Sequence, residues 1–172
     1  MSVSVKPLLA AGFTLTGLRK WNTHDGGGYQ FTLRHDGKPV AEVTNDGHGG
    51  EVRIDWILCS YDGSPYPDLK PADLKKAKLA GAAKAAFVAI VEATPEVESE
   101  YGGGPLKPDA GWLMEEMVNH AELAKLCKGK TCFRKAGDHH TVYHVMKMPY
   151  DAAAKAYVLK HYPGATILNE TL

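Results

Sequence analysis

Four Asp-Gly pairs punctuate the first sixty-odd residues of this 172-residue chain. Glycine, and more reluctantly aspartate, accepts a positive φ angle, so this dipeptide favours the tight turns of β-hairpins. Apolar and polar side chains alternate in the β-rich segments between the pairs. The pairs are Asp25-Gly26, Asp36-Gly37, Asp46-Gly47 and Asp62-Gly63, and the predicted strands cover residues 12–21, 29–34, 39–44 and 51–59. We therefore predict an antiparallel β-meander of about four strands with one buried face.

A helix is predicted to follow the meander. Pro71 is a favourable first helical residue, and the segment from Leu74 to Ala93 is dominated by alanine, lysine and leucine. Its apolar residues fall on one stripe. Because alanine side chains are small, this Ala-rich helix is expected to lie close against the sheet.

The rest of the chain predicts a smaller second portion. Residues 94–111 are acidic and dense in glycine and proline, which indicates a linker or a domain boundary. Residues 112–172 predict the order helix, strand, strand, helix, strand. The predicted fold class is α+β, with residues 1–93 as meander plus helix, residues 94–111 as linker and residues 112–172 as an αββαβ subdomain. One continuous domain is the alternative.

The composition argues against several classes of protein. Basic and acidic residues balance at 20 each, so bulk charge does not favour coating of nucleic acid or of anionic membranes. Three cysteines, an odd number, suit a reducing compartment better than a disulfide scaffold. No apolar run has the length of a signal peptide or of a membrane span. We expect a cytoplasmic protein of a bacterial host cell, without a membrane partner or a cofactor.

The balanced charge hides a block pattern. Residues 92–124 carry eight acidic side chains against one lysine, and residues 125–172 carry eight basic against three acidic side chains. A basic hairpin with interleaved aromatic residues can grip phosphates and stack on bases, whereas exposed carboxylates can bind a basic partner. The ordinary alternative is solvated surface. The candidate binding residues are Lys128, Lys130, Arg134, Lys135, His139, His140 and Lys147 in the basic block, and Glu96, Glu98 and Glu100 in the acidic block.

Cys132 and His144 are weak candidates for a catalytic thiol and its base. Basic neighbours would favour the thiolate. However, a hairpin loop of two or four residues centred on Asp138-His139 pairs Phe133 with His144, and Cys132 with Val145. That register argues against a dyad, and cysteine is also a common small core residue.

A metal site and phosphate-binding loops are two further interpretations. Cys127, Cys132 and His139 lie within a short stretch and are the weak metal candidates, but no second tight pair completes a zinc motif. The glycine clusters of the N-terminal part lie between strands and match no phosphate-loop pattern. Turn geometry accounts for them.

The segment from Leu15 to Trp56 contains the string HDGGGYQFTLRHDGKPVAEVTNDGHGG. This series resembles a group of small uncharacterised proteins of phages and bacteria, whose N-termini run through an HDG, DGK, DG-GG and tryptophan series. Residues 130–134 (KTCFR) and 167–170 (ILNE) are similar to such proteins as well. The group has no settled activity, so the resemblance implies no catalytic residues. It implies an accessory gene of a mobile element, and such small proteins often bind a host component.

Three functional hypotheses follow. The first is a non-enzymatic binding protein of a phage or mobile element that acts on a host protein or nucleoprotein complex, with counter-defence inhibition as one form. The second is a nucleic-acid-binding module that uses the hairpin 128–147. The third is a Cys/His-dependent or zinc enzyme.

Overall fold

The computed structural model describes residues 4–98, 103–139 and 142–172. Its α+β architecture confirms the predicted fold class. The elements, in chain order, are α1 Lys6–Ala10, β1 Phe13–Asn22, β2 Gly27–His35, β3 Lys38–Asn45, β4 Arg53–Trp56, α2 Pro71–Ala93, β5 Val97–Glu98, β6 Pro105–Leu106, α3 Ala110–Cys127, β7 Thr131–Arg134, β8 His144–Met146, α4 Ala152–His161, β9 Thr166–Ile167 and a final 3-10 turn, Leu168–Glu170. The chain divides into two compact units, residues 1–118 and 119–172.

The predicted meander is confirmed as one sheet of order β1-β2-β3-β4, with each neighbouring pair antiparallel. Asp36 and Gly37 form its β2–β3 turn, with φ angles of 49° and 73°. Two consecutive positive φ angles match the twist of a tight hairpin, which explains the Asp-Gly pair at this position.

The fourth Asp-Gly pair lies outside the sheet. The prediction extended the last strand to residue 59, but β4 ends at Trp56 because Leu58 adopts a φ of 56°, outside the extended region. Asp62-Gly63 instead turns the connection between β4 and α2, where it closes a bridge between Cys59 and Pro65.

The Ala-rich helix α2 packs on the sheet as predicted. Three of its alanines are fully buried: Ala77, Ala80 and Ala83. Phe87 reaches further and contacts the rings of Phe13 and Trp56, each with ring centroids 5.9 Å apart. Helix α1 was not predicted, because five residues are too few to show a helical period, yet Leu8 on it is fully buried.

The predicted linker 94–111 contains ordered structure. Val97–Glu98 pairs with Pro105–Leu106 in a short antiparallel ladder, and Val97 packs against the core of the first unit. The Lys107 ammonium group donates to the carbonyl of Glu92 at 2.9 Å and to that of Thr94. This lysine therefore satisfies carbonyls at the end of α2.

The second unit reproduces the predicted αββαβ order, beginning with the last turns of α3. Its sheet has the order β8-β7-β9, and Cys132 pairs with Val145 while Phe133 pairs with His144, which confirms the predicted register. The two sheet faces bury separate small clusters, which are centred on Cys132 and on Phe133. Among the described residues, none of the helices is both long and apolar enough to cross a bilayer.

Candidate functional site

The basic hairpin of the second unit is held by contacts among its own residues and by one contact with Tyr162. Asp138 accepts a hydrogen bond from the Lys135 backbone N–H at 2.9 Å, and its carboxylate lies 2.9 Å from Nε2 of His144. The His144 ring stacks on Phe133 with centroids 5.4 Å apart, and the Lys135 ammonium lies 4.8 Å from the Tyr162 ring centroid. His144 and Lys135 therefore have structural partners within the hairpin region.

Apolar side chains accompany these basic residues on the surface. Val142, Tyr143 and Val145 are exposed on or beside β8, and Arg134 on β7 donates to the carbonyl of Val142 at 3.3 Å. Lys147 follows β8 and is exposed. The hairpin therefore has exposed aromatic and aliphatic side chains as well as basic ones.

The other predicted binding residues are more scattered. Lys128 and His139 are exposed, and Lys130 is half-buried. Glu96 and Glu98 are exposed beside the β5–β6 ladder of the first unit. His140 and Glu100 lie outside the described residues.

Cys132 and His144 occupy opposite faces of their hairpin. Adjacent strand residues point to opposite sides of a sheet, and the register places His144 opposite Phe133, the neighbour of Cys132. Cys132 is fully buried. Its backbone N–H donates to Oδ1 of Asn169 at 2.7 Å.

The metal candidates do not assemble into a cluster. Cys127 and Cys132 share one small core, whereas His139 is exposed. Within the described ranges, no group of three histidine, cysteine or acidic side chains is placed to hold a metal ion.

The three cysteines are all buried and unpaired, so we expect slow thiol chemistry. Burial and a hydrogen bond with Cys132 raise the pKa of Cys127 well above its ordinary value, and burial raises the pKa of Cys59 as well. Because the thiolate is the reactive form, the folded protein should take up almost no aromatic disulfide reagent near pH 7. All three thiols should react once the chain is unfolded in denaturant. Rapid modification of Cys132 in the folded protein would contradict this picture and revive the nucleophile hypothesis.

Asp138 should make the second unit sensitive to acid. The Lys135 N–H, followed by His144, holds the pKa of this carboxyl below its ordinary value of 3.8. A carboxyl whose pKa is lower in the folded than in the unfolded state stabilises the folded state while it is ionised. Its contribution to stability is therefore complete above the pKa of the unfolded state and is lost as the pH falls through the pKa of the folded state. The melting temperatures of wild type and Asp138→Asn, measured between about pH 5 and pH 2, should therefore converge as the pH is lowered. Parallel profiles over that range would contradict the assignment.

A second surface was missed by the sequence analysis, the connection between β4 and α2, here called the tyrosine loop (residues 57–70). Tyr61 is 97% exposed and Tyr66 is 50% exposed. Leu58 and Asp68 have positive φ angles of 56° and 63°, although neither is glycine. Such backbone geometry costs about 1–2 kcal/mol per residue and persists only where the surroundings enforce it.

Contacts with α2 enforce the shape of the tyrosine loop. A Cβ on Gly81 would lie 2.4 Å from the carbonyl oxygen of Gly63, so only glycine allows this approach of loop and helix. The Lys84 ammonium donates to the carbonyl of Tyr61 and lies 5.1 Å from the Tyr61 ring centroid. The loop backbone is thereby fixed while the Tyr61 ring stays open to solvent.

The tip of the loop is closed by one carboxylate. Asp62 accepts hydrogen bonds from the Ser60 hydroxyl, from the Ser64 hydroxyl at 2.7 Å and from the Ser64 N–H at 3.0 Å. These bonds hold the pKa of Asp62 well below its ordinary value. The turn therefore keeps its negative charge and its shape over the physiological pH range.

A pocket of about 220 Å³ lies between the tyrosine loop, β4 and α2. Its lining is Ile54, Asp55, Trp56, Cys59, Ser60, Tyr61, Tyr66 and Lys84. Two exposed tyrosines at the rim of a small pocket are typical of a protein-docking surface, because such rings bury much area with little loss of side-chain entropy.

Comparison with protein-family models, curated proteins and solved structures finds no match to this chain.

Proposed function

We propose that this chain is a non-enzymatic accessory protein of a phage or other mobile element that binds a host protein, alone or in a nucleoprotein complex. The tyrosine loop is the proposed contact surface. The source is proposed on the resemblance of the segment from Leu15 to Trp56, and counter-defence inhibition is one form that the function would take.

The observation that carries the proposal is the presentation of Tyr61. Its ring is almost wholly exposed, yet its backbone is held by Lys84 and by the close contact of Gly63 with Gly81. A side chain on a fixed backbone loses little freedom on binding, so more of its buried area appears as affinity. Tyrosine is also among the residues enriched at binding hot spots.

The test is capture of a partner from bacterial lysate by three immobilised proteins. Wild type and Tyr157→Ala should retain the same partner in stoichiometric amount, and the double variant Tyr61→Ala/Tyr66→Ala should lose it. Tyr157 is the matched control because it is 51% exposed and lies on α4, in the second unit. Failure of wild type to retain any stoichiometric partner would contradict the proposal, as would equal retention by all three proteins.

Nucleic-acid binding by the basic hairpin is the second candidate function. The specific support is the exposure of Tyr143 in a hairpin whose sequence is basic, because base–tyrosine stacking with phosphate contacts supports binding of single strands. A retarded oligonucleotide band should weaken steeply as salt rises, and Tyr143→Ala should weaken it further. Unchanged oligonucleotide mobility at low salt would remove this candidate.

A further inference from the structure

Strand β4 lies at one edge of its sheet. It is the last strand of its sheet, and within the described residues its only strand partner is β3. The Ile57 N–H donates to the carbonyl of Val40 at 2.9 Å. Hydrogen-bonded and non-hydrogen-bonded residue pairs alternate along an antiparallel ladder. Counting back from Ile57, the N–H and C=O groups of Arg53 and Asp55 point towards β3, whereas those of Ile54 point away from it.

The pocket beside the tyrosine loop adjoins this strand. Three consecutive β4 residues line it: Ile54, Asp55 and Trp56. The pocket therefore lies along β4, and the outer edge of the strand is defined by its backbone hydrogen bonds. Ile54 has no backbone hydrogen-bond partner on this side within the described part of the chain.

The sequence of β4 is complementary to itself in antiparallel pairing. A two-fold axis at Ile54 would place Arg53 of one copy directly opposite Asp55 of the other, twice. The two Ile54 residues would exchange both of their outward hydrogen bonds. Arg53 and Asp55 would then form non-hydrogen-bonded pairs, in which side chains approach most closely.

Charge on the neighbouring strand favours the same arrangement. Within one copy, Asp55 lies directly opposite Glu42 on β3, and like charges in that position repel. Arg53 of the same copy contacts Asp55 at 2.8 Å, but both side chains are more than half exposed, so this pair alone is weak. An arginine from a second copy would supply further positive charge beside the two carboxylates.

We propose that two copies of this chain pair through β4, in antiparallel register about Ile54, to form one continuous eight-stranded sheet. The proposal does not rest on the proposed function, because it requires no other protein. A ladder of about five residues buries less than the roughly 1,200–2,000 Å² of a standard interface. The dimer is therefore weak and forms at concentrations of about 100 µM and above.

Charge exchange provides the test, by sedimentation velocity of the full chain. Arg53→Asp and Asp55→Arg alone should each lower the association constant at least tenfold, because like charges then face each other twice. The double variant Arg53→Asp/Asp55→Arg restores both pairs and should restore association. Arg19→Asp, exposed on the opposite edge strand β1, is the matched control and should behave as wild type. A wild type that stays monomeric up to about 1 mM would overturn the proposal, as would single variants that associate like wild type.

Hydrogen exchange identifies the edge that pairs. The Ile54 amide should become protected as the protein concentration rises, whereas the Asp55 amide, which faces β3, should be protected at every concentration. This readout also separates loss of pairing from loss of folding in the variants, because a folded monomer keeps the Asp55 protection. Association without protection of Ile54 would overturn the proposed register.

Discussion

Phe87→Ala should lower the free energy of unfolding of the first unit by about 3–5 kcal/mol. Phe87 is 2% exposed and joins α2 to two strands through its contacts with Phe13 and Trp56. Truncation removes the buried ring and leaves a cavity, because three alanines already hold the helix backbone close to the sheet. Denaturant unfolding followed by tryptophan fluorescence measures the loss, since Trp56 lies beside the removed ring.

Val88→Ala is the matched control for this prediction. Val88 is the next residue on the same helix, but it is 40% exposed. Its truncation should change the free energy of unfolding by less than about 1 kcal/mol. Equal effects of the two substitutions would mean that Phe87 does not anchor the helix to the sheet.

Asn169→Ala should lower the stability of the second unit by about 2–4 kcal/mol, through two hydrogen bonds to one strand end. Its Oδ1 accepts from the Cys132 N–H at 2.7 Å, and its Nδ2 donates to the carbonyl of Lys130 at 2.9 Å. Alanine would leave a partly buried N–H and C=O without these partners. A unit as small as residues 119–172 buries little surface and has a small free energy of unfolding. We therefore expect this unit of the Asn169→Ala variant to be partly unfolded near room temperature.

Asn169→Asp separates the two bonds. The carboxylate still accepts from the Cys132 N–H but cannot donate to Lys130, so its effect should fall between those of wild type and alanine. Hydrogen exchange at the Cys132 amide is the direct measurement. Unchanged Cys132 protection in Asn169→Ala would contradict the assigned role.

The sheet and the long helices were predictable because their signals are local. Asp36 and Gly37 accept the positive φ angles of the β2–β3 turn, and the alternation of apolar residues fixes which strand face is buried. The hairpin register in the second unit was also predicted, from a loop centred on Asp138 and His139, but the connection between Arg134 and His144 is longer than the predicted two or four residues. Pairing of Cys132 with Val145 then followed from counting.

The candidate site was not predictable because it depends on contacts distant in sequence. Tyr61 is noteworthy only because Lys84, 23 residues later, holds its carbonyl. In the sequence, Gly81 is only a residue of low helix propensity. The structure shows that a larger residue there would clash with the carbonyl of Gly63. Conversely, Lys135 was a predicted binding residue and His144 a predicted catalytic base, but the structure shows them in contact with Tyr162 and Asp138 within the second unit.

The most direct test of the proposed function is an equilibrium titration of the captured partner with wild type, Tyr61→Ala and Tyr157→Ala. A hot-spot tyrosine contributes about 2 kcal/mol or more to the binding free energy, so Tyr61→Ala should raise the dissociation constant about 30-fold or more. Tyr157→Ala should leave the constant unchanged. Equal constants for wild type and Tyr61→Ala, with both proteins folded, would contradict the tyrosine loop as the binding surface.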